Sequence, residues 1–162
     1  LHGVVGGCDD ESLLAGGVLA QHAAAGARTA VVTATWTADS HRAPELAEAL
    51  EVLGAGAPRL LGYAATHAES GVGPLGPLLQ GVGKSVLAAP DAYVTTTVDV
   101  APWAAVKWAA ILAHRSEVAR PRSLPGLLAR LTEAERAEII CTESFTRLSP
   151  GPAPGDPLRV IV

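Results

Sequence analysis

The chain has 162 residues, a formal net charge of −4, 49% apolar residues and 4% aromatics. That length suits one domain with a core of ordinary size, and the acidic balance without a basic stripe argues against a nucleic-acid footprint. Every apolar run is broken by Gly, Pro or charge well short of the ~18 residues a membrane span needs. The two cysteines, Cys8 and Cys141, lie far apart with no signal-peptide pattern before them, so a cytoplasmic setting is expected. Residue 1 is Leu and Met is absent throughout, from which a missing N-terminal piece is expected. The apolar content leans on Ala and Val, and a core of such small side chains predicts modest stability.

In chain order, residues 1–7 read as a buried parallel strand ending in Gly6-Gly7. Cys8, Asp9, Asp10 and Glu11 follow, and then a helix over residues 12–25 with Leu13, Leu14, Val18 and Leu19 on its apolar face. The acids thus sit where a strand hands over to a helix. One reading makes Asp9 or Asp10 the helix N-cap with Glu11 in the first turn. The other makes them part of a ligand crevice, because open α/β sheets bind ligands beyond the carboxyl ends of their strands. Gly16-Gly17 costs about 1 kcal/mol per Gly inside a helix and predicts a close backbone approach. His22 is expected at the surface, and Gly26 closes the helix.

Residues 28–35 are the second strand, so the start is a βαβ unit with a right-handed crossover. The loop 36–41 returns on the same side as the acids, with Trp36, Asp39, Ser40 and His41 as pocket candidates. Pro44 opens a second helix whose buried stripe is Leu46, Ala49, Leu50 and Leu53, and Gly54 ends it. Arg42 and Glu45 at its start are spaced for a surface ion pair. Residues 59–63 form a third strand. Glycines and prolines crowd 66–83, which reads as a flexible loop carrying His67 and Glu69 near its start.

Residues 92–100 alternate as a half-buried strand. Pro102 then opens a helix to about residue 118, with Trp103, Val106, Ala110 and Ala113 inward and Lys107, Ile111 and His114 on a second face. Pro121 and Pro125 precede a short helix. Thr132-Glu133-Ala134-Glu135 is a capping box for a last helix expected to end near Phe145. Residues 149–157 read as a linker, and 158–162 as a possible edge strand.

Asp9-Asp10-Glu11, Gly16-Gly17, Gly26, the strand at 28–33, Arg42-Ala43-Pro44-Glu45, Leu61-Gly62-Tyr63 and Ala113-His114-Arg115-Ser116 occur in a familiar order. In this the chain resembles the LmbE/PIG-L family of metal-dependent de-N-acetylases. The fold expected is α/β, a three-layer α/β/α sandwich with a mainly parallel, Rossmann-like sheet. Its core strands are 1–6, 28–33, 59–63 and 92–100, within a domain of residues 1–148 followed by a tail at 149–162. The resemblance implies a zinc-dependent amide hydrolase acting on an N-acetylated amino sugar or a related natural-product conjugate. It makes Asp9 the catalytic base, Asp10 a metal ligand and Arg42 a substrate contact.

Three departures qualify the implied chemistry. The family's His-Pro before the acids is Gly7-Cys8 here, and nothing matches its later Gly-His-Pro-Asp-His-like stretch, so metal-ligand histidines are absent. An acidic residue after the third strand is replaced by Ala64 or Ala65. Zinc hydrolysis needs a metal with an open position, a base for its water and an oxyanion donor. One carboxylate does not hold Zn²⁺ by itself, so Cys8, His41, His67 or His114 would have to be recruited. Cys8 neighbours the lost histidine, yet its side chain is offset by one residue. Weak or absent zinc and undetectable turnover are expected. The alternative is a non-catalytic remnant, or a sugar-binding or interaction module on the same fold.

Overall fold

Two strand-helix units open the chain: β1 (His2–Val5), α1 (Asp10–Ala24), β2 (Ala30–Thr33), α2 (Ala43–Val52) and then β3 (Arg59–Leu60). The computed structural model describes residues 9–33, 36–62 and 94–146, together with the backbone of 2–5. β1 and β2 run parallel with Gly3 opposite Val31 and Val4 opposite Val32, and β2 and β3 run parallel with Thr33 opposite Leu60. Parallel neighbours require a crossover, and α1 and α2 supply the two. The result is an α/β fold with a small parallel sheet of order β1-β2-β3.

Both crossover helices end alike. Gly26 and Gly54 take φ of +80° and +70°. After α1 the N–H of Ala27 reaches the His22 carbonyl and that of Gly26 the Ala23 carbonyl; after α2, Ala55 reaches Leu50 and Gly54 reaches Glu51. This double bond pattern needs a left-handed residue just past the helix, which glycine adopts without a Cβ penalty.

The main core sets Val31 of β2 against Leu46, Ala49, Leu50 and Leu53 of α2, Leu19 and Ala20 of α1, and Ala110 and Ala113 of a later helix. The predicted stripe of α2 is thus buried as expected. In α1 the apolar face turns differently. Leu14 is 61% exposed, while Gly16 and Gly17 are buried. A Cβ on Gly17 would collide with the Cβ of Val100, and one on Gly16 would stand 3.2 Å from Cγ of Lys107. The glycines admit neighbouring side chains, and that approach decides which face of α1 goes inward.

A 3-10 turn (Ala101–Trp103) leads into α3 (Ala104–Ala113), which lies against both α1 and α2. Where the sequence predicts one helix to residue 118, the chain breaks at His114, whose ψ of 61° leaves the helical region, and restarts as α4 (Arg115–Val118). The break is stabilised from α2: the Glu45 carboxylate accepts the Ser116 N–H at 2.9 Å and its hydroxyl at 2.7 Å. α5 (Leu124–Leu128) is capped by Ser123, and α6 (Glu133–Ile140) by the predicted box of Thr132 and Glu135.

The end of the described chain corrects two expectations. Residues Thr142–Phe145 form a strand, β5, where a helix was expected, and it pairs antiparallel with β4 (Thr96–Asp99), Val98 opposite Glu143. Among the described residues β4 therefore belongs to a second, two-stranded sheet and not to the parallel one. The physical reason lies in the side chains: extended backbone sends Glu143 inward at 2% exposure and lets Phe145 pack on Val18, Val98 and Val100. Another cluster joins Ile111 to Leu128 of α5 and Ile140 of α6, with Trp108 alongside. Among the described residues no helix is long and apolar enough to cross a membrane. Cys8, Tyr63, His67, Glu69, the predicted loop 64–84 and the tail 149–162 lie outside the described residues.

Candidate functional site at the carboxyl rim

Parallel pairing of β1 with β2 puts Asp9 and Trp36, each a few residues past a strand end, on the same rim of the sheet. Trp36 is half-buried against the main core, and Asp39 and His41 are exposed on its loop. The three consecutive acids have different roles. Asp9 stands at the N-cap position of α1 but makes no side-chain cap bond. Burial pushes its carboxyl up to about 6, with Asp10 and Glu117 adding to the rise and His114 opposing it. Asp10 is half-buried in the first helical turn. Glu11 is 1% exposed and directed away from solvent.

Glu11 is committed to α3. Its Oε1 lies 2.7 Å from Nε2 of His114 and accepts the Ser12 hydroxyl at 2.7 Å, and Ser12 Oγ is 3.3 Å from the same ring nitrogen. His114 thus makes a structural contact, and the bend after α3 is what turns its ring inward. Among the described residues Glu11 Oε2 and His114 Nδ1 are buried without a hydrogen-bond partner.

Glu117, one turn beyond His114, closes the site. It is 4% exposed, and its carboxylate pairs with Arg42 at 2.8 Å and Arg120 at 3.0 Å. Arg42 therefore pairs across to α4 and not with Glu45, which is occupied by Ser116. The same carboxylate that holds Arg42 also raises Asp9, so the structure brings two sequence-chosen residues, Asp9 and Arg42, to one corner. Sequence reading missed Glu117. The available signal was its i, i+3 spacing from His114, which puts both on one helical face.

A second buried pair joins α3 to β5. Lys107 Nζ and Glu143 Oε1 are 2.8 Å apart, each side chain 1% exposed. Glu143 also accepts the N–H groups of Gly17 and Val18 at 2.7 and 3.0 Å. Helical spacing placed Lys107 with Ile111 and His114 on a second face, and the structure buries all three; a buried ammonium requires a carboxylate. Only the fold identifies Glu143 as that partner.

The described donors do not make a zinc site. Among the described residues no group of three or more His, Cys, Asp and Glu side chains is placed to hold a metal. His114, one of the substitutes considered, uses Nε2 on Glu11, and His41 is exposed. Cys8 and His67 lie outside the described residues.

No family model and no curated protein sequence matches the chain. Among solved structures, the conserved protein TT1542 from Thermus thermophilus superimposes with a TM-score of 0.62 at 20% identity, over 95% of this chain and 96% of that one. GalB, the 4-carboxy-2-hydroxymuconate hydratase from Pseudomonas putida, gives 0.48 at 16% identity, over 94% of this chain and 98% of that one. These identities speak to fold only, and the fold likeness rests on TT1542.

Proposed function

We propose that the chain is an LmbE/PIG-L-like protein of the amide hydrolase class, on a three-layer α/β/α frame in the cytoplasm. Its carboxyl rim would take an N-acetylated amino sugar or a related natural-product conjugate. The observation that carries this reading is Asp9: a half-buried carboxyl raised to about 6 at the strand-to-helix handover, beside the Arg42–Glu117 pair. A general base works best when its pKa lies near the operating pH. At neutral pH Asp9 is mostly ionised yet basic enough to take a proton from water as that water attacks an amide carbonyl. Arg42, anchored by Glu117, would hold the substrate's oxygens. Asp10 would be a zinc ligand, and because the sequence lacks the ligand histidines of the resembled family, zinc is expected to bind weakly or not at all.

A second reading, binding without turnover, draws on the Arg42–Glu117 pair. A positioned guanidinium grips hydroxyl and carboxylate oxygens whether or not water is activated. One experiment separates the two. Amine release from an N-acetylglucosamine conjugate is followed with and without added Zn²⁺, on this chain and on Asp9→Asn, with calorimetric binding of the same conjugate to this chain and to Arg42→Ala. Release that disappears in Asp9→Asn supports hydrolysis. Binding that is lost in Arg42→Ala, without release, supports the binding module. Neither release nor binding refutes the proposed site.

A further inference from the structure

Of the chain's three tryptophans, Trp103 and Trp108 lie in the 3-10 turn and α3, and Trp36 alone stands on a loop, at the carboxyl rim of the parallel sheet. The indole is half-buried: it packs on the main core, and the remainder of its surface stays accessible. We infer that Trp36 is the stacking platform of the carboxyl-rim site, on which the apolar face of the amino-sugar ring lies while its N-acetyl group faces Asp9.

Position is the first ground. Val5 pairs with Thr33, so the ends of β1 and β2 are level and one strand spacing, about 4.8 Å, apart. Asp9 follows the end of β1 and Trp36 the end of β2, each within a few residues. In an N-acetylated amino sugar the amide nitrogen is bonded directly to a ring carbon. A base beyond β1 that acts on that amide therefore brings the ring over the end of β2, where the indole stands. Chemistry is the second ground. The face of an indole is electron-rich, and the C–H groups on one side of a pyranose are apolar with a slight positive charge, so the two stack and exclude water.

Rigidity is the third. The Trp36 carbonyl accepts the Gly62 N–H at 3.0 Å, and the Thr33 carbonyl accepts the Leu61 N–H at 3.0 Å, so the loop is tied to the end of β3. Gly62 has a φ of +64°, and a Cβ there would stand 3.1 Å from the Thr37 methyl. Further along, the Thr37 carbonyl accepts the Ser40 N–H at 3.1 Å and the Ser40 carbonyl accepts the Ala43 N–H at 3.0 Å. One folded loop thus carries the indole at its start and Arg42 at its end, and a platform fixed before the ligand arrives loses little entropy on binding.

The platform presupposes the carboxyl-rim site proposed above, and the test separates the two. The probe is the methyl β-glycoside of N-acetylglucosamine, titrated by NMR and calorimetry. With this chain, ring C–H resonances of the bound sugar should shift upfield and show Overhauser contacts to the Trp36 indole, which is assigned by its absence in Trp36→Phe. Trp36→Leu keeps an apolar side chain on the core but removes the aromatic face, and should weaken binding about 3- to 10-fold, the range for one aromatic contact. Trp36→Phe should weaken it by less than about 2-fold. Binding that depends on Arg42 but shows no contact to the Trp36 indole, or equal affinity in Trp36→Leu, would overturn the platform and leave the carboxyl-rim reading standing. No binding to the unsubstituted chain would overturn both.

Discussion

Replacing Glu143 by glutamine removes one charge and almost no volume, at a position where the surrounding structure cannot adapt. Glu143 sits 2.8 Å from Lys107 with both side chains 1% exposed, and it accepts two N–H groups from the middle of α1. Glutamine keeps one acceptor oxygen, which can serve the Gly17 N–H. With that oxygen on Gly17, where it also faces Lys107, the amide NH₂ opposes the Val18 N–H; flipped, it opposes both the Gly17 N–H and the Lys107 ammonium, donor against donor either way. Lys107 is left as a buried charge without its carboxylate. Breaking a buried pair in this way costs about 3–5 kcal/mol, a large share of the roughly 5–15 kcal/mol that holds a domain together. With a urea slope of about 2 kcal/mol per molar, the midpoint should fall by about 1.5–2.5 M. Lys107→Met added to Glu143→Gln removes the stranded charge and should restore most of the loss. Equilibrium urea unfolding of this chain, the single variant and the double variant makes the comparison. A single-variant loss below about 1 kcal/mol, or a double variant no more stable than the single, would refute the account of the pair.

Other changes have distinct signatures. Asp9 keeps its proton in the folded state up to about pH 6, whereas an unfolded chain releases it near 3.8. The stability this carboxyl contributes is therefore complete below about 3.8 and lost as pH rises to about 6. Asp9→Asn should stabilise the fold by on the order of 1 kcal/mol at about pH 8, allowing for solvent screening, and by nothing near pH 3.5; equal midpoints at both pH values would contradict the raised carboxyl. Gly17→Ala drives a methyl into Val100 and should cost about 1–3 kcal/mol in overpacking despite alanine's better helix propensity, so a gain in thermal midpoint would show that α1 and the end of β4 are not in close contact. Thr132→Ala removes both the N-cap acceptor and a bond to Glu135, and should cost about 1 kcal/mol in denaturant titration.

Local chemistry was legible without the fold. Gly26 and Gly54 announced helix ends because only glycine takes a left-handed φ freely, and the Thr132 box and the stripe of α2 are patterns complete within ten residues. The strand, acid cluster, helix and second strand implied a parallel pair with Asp9 at its carboxyl rim, and β1 and β2 form that pair. Distant partnerships were not legible, because sequence spacing carries no record of which surfaces meet. Arg42 and Glu45 had the spacing of an ion pair, but the turn at His114 presents Ser116 to Glu45 and Glu117 to Arg42. Residues 142–145 continued a helical pattern until the requirement to neutralise Lys107 drew Glu143 inward on a strand. The sequence by itself determined the opening strand-helix-strand unit, the ends of its two crossover helices and the rim on which the acids sit. Tertiary structure alone decided how the neighbouring acids divide, Glu11 buried against His114 and Asp9 left half-buried with a raised pKa, because burial and the approach of α3 and α4 set the cost of each charge.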